Sequence, residues 1–182
     1  MLPVNNGRIT QIYGKVNPKF NYAKGYHTGL DVVAEDKNIY NATYGAVNWI
    51  GLDADGWGNY VIVRTPEGKD LIYAHLAKVS ASVGMVISAG DILGIMGMTG
   101  NATGVHLHFE VRRGKWQDRD DVNAADYLNI KNELGDIEAA DPYEDDRAWV
   151  MKRGISDGTD PLRPVLRREA WAMIRRAMEG RE

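Results

Sequence analysis

The stretch "GVHLHFEVRR", residues 104–113, decides how the chain is read. Val105, Leu107, Phe109 and Val111 alternate with polar residues, which is the period of a β-strand, where successive side chains point to opposite faces. His106 and His108 then emerge together on one face, while Leu107, Phe109 and Val111 can turn toward a core. A half-exposed strand with two incidental imidazoles gives the same pattern, so any chemistry requires partners elsewhere in the chain.

Outward from this run the texture stays the same. From Arg8 to about Arg113 the sequence is a series of short alternating runs separated by glycine-rich turns, with no sustained helical period. The expected strands are "RITQIYG" (8–14), "GLDVVA" (29–34), "GAVNWIG" (45–51), "NYVIVRT" (59–65), "DLIYAHL" (70–76), "DILGIMG" (91–97) and "VHLHFEV" (105–111). Asp55-Gly56 and Glu67-Gly68 are hairpin signals between neighbouring runs. The fold class this implies is mainly β, an antiparallel sheet or sandwich.

After Gly114 the composition changes. "DRDDVNAADYLNI" (118–130) is polar and then weakly helical, and "KNELGDIEAADPYEDD" (131–146) is acidic with glycine and proline, as a linker would be. "EDDRAWVMKRG" (144–154) and "LRREAWAMIRRAME" (166–179) read as helices, the second with Ala170, Trp171, Ile174, Ala177 and Met178 on one stripe. The expected organisation is a β domain over 1–132, a linker over 133–143 and a small C-terminal α-helical domain over 144–182.

Composition narrows the chemistry. The 182 residues hold 22 Lys and Arg against 25 Asp and Glu, a net charge of -3, without the basic excess of a nucleic-acid surface. There is no cysteine, so disulfides, thiolate nucleophiles and cysteine-based zinc fingers are excluded, and a metal has only His and carboxylate to hold it. No run of about 18 apolar residues could span a membrane, and the opening "MLPVNNGRIT" has no secretory leader pattern. The expectation is a chain made in a host cytoplasm without a signal peptide.

Only four histidines are available: His27, His75, His106 and His108. Asp31 follows His27 by four residues. Two imidazoles and a carboxylate are a standard set of three protein ligands for catalytic zinc, with one position left for water, and the remaining histidines are free for acid-base work. In an extended strand the Cα atoms of His27 and Asp31 would be roughly 13 Å apart. Convergence therefore needs a bend, and Gly29 permits one. No HExxH motif is present, which excludes the thermolysin arrangement.

The combination "HTGLD" (27–31), "YAHL" (73–76) and "GDILGIMGMTGNATGVHLHFEVR" (90–112) resembles the lysostaphin-type zinc metallopeptidases, also called LytM or M23 peptidases, over about residues 7 to 113. The resemblance implies a zinc-dependent endopeptidase acting on bacterial peptidoglycan peptide cross-links. It implies one zinc ion held by His27, Asp31 and His108, with His75 and His106 assisting catalysis without ligating. Which of those two is the general base stays open. The rival reading is a non-catalytic LytM-like module that binds or activates other wall hydrolases. Such relatives typically lose ligands, whereas all five positions are filled here.

Other signals are bland. "GIMGMTGNATG" (94–104) lacks the Gly-Lys-Ser/Thr ending of a phosphate loop, and its Asn101 and Thr103 are placed to line a groove. "LDADGWGNY" (52–60) fails the EF-hand spacing and reads as a hairpin turn. Trp49, Trp57 and Trp116 read as core or rim residues. In the C-terminal segment, Trp149, "GISDGT" (154–159), Pro164 and "RREAWAMI" (167–174) resemble one S-layer-homology repeat, where three are usual. That segment is expected either to bind wall polymer or to form a homodimer. With no leader pattern, the tail suggests a phage endolysin that acts on the cell wall.

Overall fold

The alternating runs become strands throughout residues 1–19 and 22–137, which the computed structural model describes. The chain begins with β1 (Arg8–Gln11), β2 (Leu30–Val33), β3 (Asn38–Tyr40) and β4 (Gly45–Asp53). It continues through β5 (Gly58–Arg64), β6 (Lys69–Ala74), β7 (Leu76–Val79) and β8 (Val86–Ile87). β9 (Ile92–Met96), β10 (Leu107–Arg113), β11 (Asp121–Val122), the helix α1 (Ala124–Leu128) and β12 (Gly135–Asp136) complete it. A 3₁₀ turn, Trp116–Asp118, lies between β10 and β11.

Every pairing is antiparallel. A large sheet runs in the order β12-β1-β2-β10-β6-β5-β4-β8, with β11 also on β10, and a small sheet runs β3-β9-β7. Each of the seven expected runs contains a strand, and both hairpin turns fall where their Asp-Gly and Glu-Gly pairs stand, Gly68 taking a φ of 79°. The mainly β antiparallel reading therefore holds.

Two expectations need correction. "DLIYAHL" is not one strand: it breaks at His75, whose φ is 63°, and the chain leaves the large sheet as β6 and enters the small one as β7. Leu71 to Ala74 are apolar without interruption and Leu76 follows, so the run reads as one buried strand and does not mark the change of sheet. The second concerns the half-exposed reading of β10, whose face opposite the core is largely covered. His108, Glu110 and Arg112 on that face are all buried.

The main core lies between the sheets. Leu30, Val32, Val61, Val63, Leu71, Tyr73, Leu107, Phe109 and Val111 of the large sheet pack with Ile39, Leu76, Leu93 and Met96 of the small one. On the other face of the large sheet, Tyr60, Ile62, Ile72 and Ala74 form a second cluster under Trp57 and Trp116. Arg112 of β10 meets the same two tryptophans, donating to the Trp116 carbonyl and lying against the Trp57 ring.

Residues 133–137 carry β12, whose Gly135 and Asp136 pair with Ile9 and Arg8 of β1. The rest of the expected linker and the helical segment 144–182 lie outside the described residues. Among the described residues, no helix is long and apolar enough to cross a membrane.

Tyr73 joins the sheets by hydrogen bonds as well as packing. Its buried hydroxyl accepts from Ala42 N at 2.9 Å and donates to Asn41 Oδ1 at 3.0 Å, in the connection between β3 and β4. Tyr73→Phe leaves a buried donor and a buried acceptor unmatched, which costs about 1–3 kcal/mol. Urea denaturation should show a lower midpoint with an unchanged slope; an unchanged midpoint would contradict this role.

Candidate metal centre

The centre is set by strand register. Asp31 of β2 and His108 of β10 are directly paired across the ladder, so their side chains leave the same face side by side. His27 arrives differently, from the segment before β2. Its N–H donates to Lys15 O at 2.9 Å, its own carbonyl accepts from Gly14 N at 2.8 Å, and its Nδ1 lies 3.0 Å from Ile12 O.

The result is close convergence. His27 Nε2 lies 3.1 Å from Asp31 Oδ1 and 3.0 Å from His108 Nδ1, and His108 Nδ1 lies 3.0 Å from Asp31 Oδ1. The role of Gly29 differs from the expected bend. A Cβ there would sit 2.5 Å from Phe109 O and 2.9 Å from the His108 ring, so glycine is needed because β10 and its imidazole pass directly over it.

His75 and His106 stand beside this trio. Their ring centroids are 4.7 Å apart, and His106 Nε2 is 3.6 Å from Asp31 Oδ1. His75 sits at the junction of the two sheets, where its N–H donates to Trp57 O at 2.8 Å and its Nδ1 lies 2.8 Å from Thr99 O. Asn59 supports that junction: its Nδ2 donates to Leu76 O at 3.0 Å and its N–H to Thr99 Oγ1 at 2.9 Å. His106 is held by a bridge to Gly97, with Nδ1 2.9 Å from Gly104 O.

These partners fix the tautomers. A carbonyl oxygen only accepts, so Nδ1 of His27, His75 and His106 each carries a hydrogen and Nε2 is the nitrogen left to face the centre. For His108 the arrangement is reversed: Nε2 faces the Glu110 carboxylate at 3.4 Å, leaving Nδ1 to face Asp31 and His27. Among the described residues, His27, Asp31 and His108 are the one group of three whose ligand atoms all lie within 4.8 Å of one another. Acceptors facing one another at this range repel unless a cation lies between them. The donor set of two imidazoles and a carboxylate suits zinc, whose tetrahedral ligands at about 2.0–2.2 Å stand a little over 3 Å apart.

Electrostatics carry the same signature. Burial alone would raise the Asp31 carboxyl, but the hydrogen bonds and charges of His108 and His27 outweigh it and hold the group far below the usual carboxylate range. Burial opposes charge on His108 too, yet Asp31 and Glu110 push it up to about 9. Burial, together with the charges of His108 and His106, lowers His75 to about 4.

The centre opens on a groove of about 560 Å³, lined also by Asn101, Thr103, Trp57 and Trp116. The two tryptophans therefore roof the second cluster and form part of the groove rim. Sequence reasoning missed Ile12, Thr99, Asn59 and Glu110. Ile12 and Thr99 act through their carbonyl oxygens and Asn59 through its side-chain amide and its backbone N–H, contacts distant in sequence that no local pattern encodes. Glu110, two residues beyond His108, was within reach of the rule that paired His106 with His108.

A two-sheet antiparallel fold here converges two imidazoles and a carboxylate that could hold a metal ion on an open groove, with two further histidines beside them. More particularly, the chain belongs to peptidase family M23, whose model matches residues 25–123. It is 32% identical over 108 residues to the DD-carboxypeptidase/endopeptidase Mpg of Neisseria meningitidis, covering 56% of this chain and 25% of that protein. It is 31% identical over 117 residues to the murein hydrolase activator NlpD of Salmonella dublin, covering 63% and 29%. The fold is similar to the catalytic domain of the antimicrobial peptidase lysostaphin from Staphylococcus simulans, with a TM-score of 0.62 and 25% identity, covering 67% of this chain and 92% of that one. The chain spans about a quarter of the length of the Mpg proteins it matches.

Because His108 is held up to about 9, an entering zinc ion must displace its proton. Apparent zinc affinity should therefore rise with pH, by about tenfold per unit between about pH 6 and 8, with release of about one proton. Calorimetric titration in buffers of different ionisation enthalpy measures both; an affinity flat with pH would contradict the arrangement.

Proposed function

We propose that this chain is a zinc-dependent endopeptidase that hydrolyses peptide bonds in bacterial peptidoglycan. The observation that carries the proposal is the convergence of His27, Asp31 and His108 at one end of a groove that His75 and His106 also line. His27 Nε2, Asp31 Oδ1 and His108 Nδ1 would hold the ion. When bound, zinc supplies Lewis-acid polarisation of a carbonyl and acidification of a water molecule.

The remaining steps belong to the protein. Asp31 stays ionised and offsets part of the ion's charge. His75, neutral at pH 7 and locked with its hydrogen on Nδ1, presents Nε2 as a proton acceptor. With His106 it forms the pair that takes the proton from water, hydrogen-bonds the developing oxyanion and returns a proton to the leaving amine. The groove beside them admits an extended peptide past the glycine-rich turns.

The similarity to the activator NlpD favours a second reading, a non-catalytic module that stimulates other wall hydrolases. The filled set of five positions supports the enzyme over this alternative.

Purified protein incubated with cell walls should release cleaved peptides, lose this activity to a chelator and regain it with zinc. Cleavage at full rate after metal removal, or none when zinc is replete, overturns the proposal. His75→Ala should keep zinc and lose about 10²–10⁴-fold in kcat, whereas Asp31→Ala should lose both. Equal metal loss in the two variants would show that the roles are wrongly divided.

A further inference from the structure

Behind His108, on the side away from Asp31, the same face of β10 carries Glu110 and then Arg112, each two residues further on. Glu110 is fully buried. Its Oε2 accepts from Thr28 Oγ1 at 3.1 Å and lies 3.4 Å from His108 Nε2, and its Oε1 accepts from Arg112 Nε. Arg112 also donates Nη1 to the Trp116 carbonyl, and its guanidinium carbon lies 4.9 Å from the centroid of the Trp57 ring.

Stability alone does not call for this row. Burying a carboxylate and a guanidinium costs about as much as their attraction returns, and well-packed apolar residues of similar volume often do as well or better. The cross-strand partner of Glu110 is Ile72, itself paired with Ile62, so an apolar residue would have apolar neighbours there. What an apolar residue could not do is hold a hydrogen on the distal nitrogen of His108.

We propose that Glu110 and Arg112 are positioning residues of the metal centre: Glu110 fixes the ring plane and the Nε2–H tautomer of His108 so that Nδ1 faces His27 and Asp31, and Arg112 fixes Glu110. This rests on the reading of His27, Asp31 and His108 as metal ligands. A carboxylate that accepts from the far N–H of a ligating imidazole limits its rotation and makes the near nitrogen a better donor to the metal. Arg112 suits its part because a planar guanidinium reaches two acceptors in fixed directions at once, which an ammonium cannot do. The row ends against Trp57, whose carbonyl receives the His75 N–H, so one residue touches the supports of a ligand and of a proton-handling histidine.

The test uses the full chain with Glu110→Gln, Arg112→Lys and, as a control, Asp31→Ala. Zinc affinity is read by competition with a chromophoric chelator, the ligand field by the visible spectrum of the cobalt(II)-loaded protein, and folding by circular dichroism. Glu110→Gln should weaken zinc by about 10–100-fold and shift the cobalt bands, and Arg112→Lys should move both in the same direction by less. Unchanged affinity and superimposable cobalt spectra in the folded variants overturn the positioning role while the ligand reading stands. A wild-type protein that takes up no ion, or an Asp31→Ala variant that binds as tightly as wild type, overturns the ligand reading and this proposal with it. Should Glu110→Gln fail to fold, Arg112→Lys decides alone by the same two measurements.

Discussion

The centre depends on one alignment, the pairing of Asp31 in β2 with His108 in β10. A slip of one residue would send one of the two side chains to the opposite face and leave no pair of ligands. The alignment is fixed from the other side of the sheet. Leu107 pairs with Val32 and Phe109 with Leu30, and all four are buried in the main core. Burial of each such side chain contributes about 1.5–3 kcal/mol, so apolar packing on one face dictates the position of polar atoms on the other. Gly29 belongs to the same constraint, since only the absence of a Cβ lets β10 and its imidazole lie so close.

What the sheet assembles is electrostatically unbalanced by itself. Two ring nitrogens and a carboxylate oxygen face each other at 3.0 to 3.1 Å, and each imidazole of the site has its other nitrogen tied to a carbonyl or carboxylate on its outer side. The shifts of Asp31 and His108 follow from this closeness: the imidazoles hold the carboxyl low, and Asp31 with Glu110 holds His108 high. A centre fixed in this way has little to reorganise when the cation arrives, because the ring orientations are set by partners that are not themselves ligands.

Much of this was legible in the sequence, for reasons that can be named. Period-two alternation located the strands that carry Asp31 and His108, and the scarcity of histidine limited the candidates to four. It did not resolve "DLIYAHL", because Leu71 to Ala74 are buried on both faces and leave no period to show that the chain changes sheets before Leu76. Strands as short as β8, β11 and β12, of two residues each, have no period to read and exist only through pairing distant in sequence. The back face of β10 was misjudged because its cover comes from Trp57 and Trp116, whose approach depends on a hairpin turn and a 3₁₀ turn far apart in the chain.

The change of sheet at His75 also separates the tasks within the site. Asp31 and His108 sit on adjoining strands of one continuous ladder, where position follows from register. His75 occupies a left-handed backbone conformation between ladders, which costs a residue with a Cβ about 1–2 kcal/mol. Its position must instead be determined by local contacts, and Trp57 O, Thr99 O and the bonds that Asn59 makes to Thr99 and Leu76 supply them. Two of the three atoms proposed to hold the ion are thus placed by ladder register, while the imidazole proposed to handle protons is anchored in a clasp between two turns. Under the proposed roles, damage to that clasp, whose bonds go to Trp57, Thr99 and Leu76, would reach proton transfer directly and the ion only indirectly.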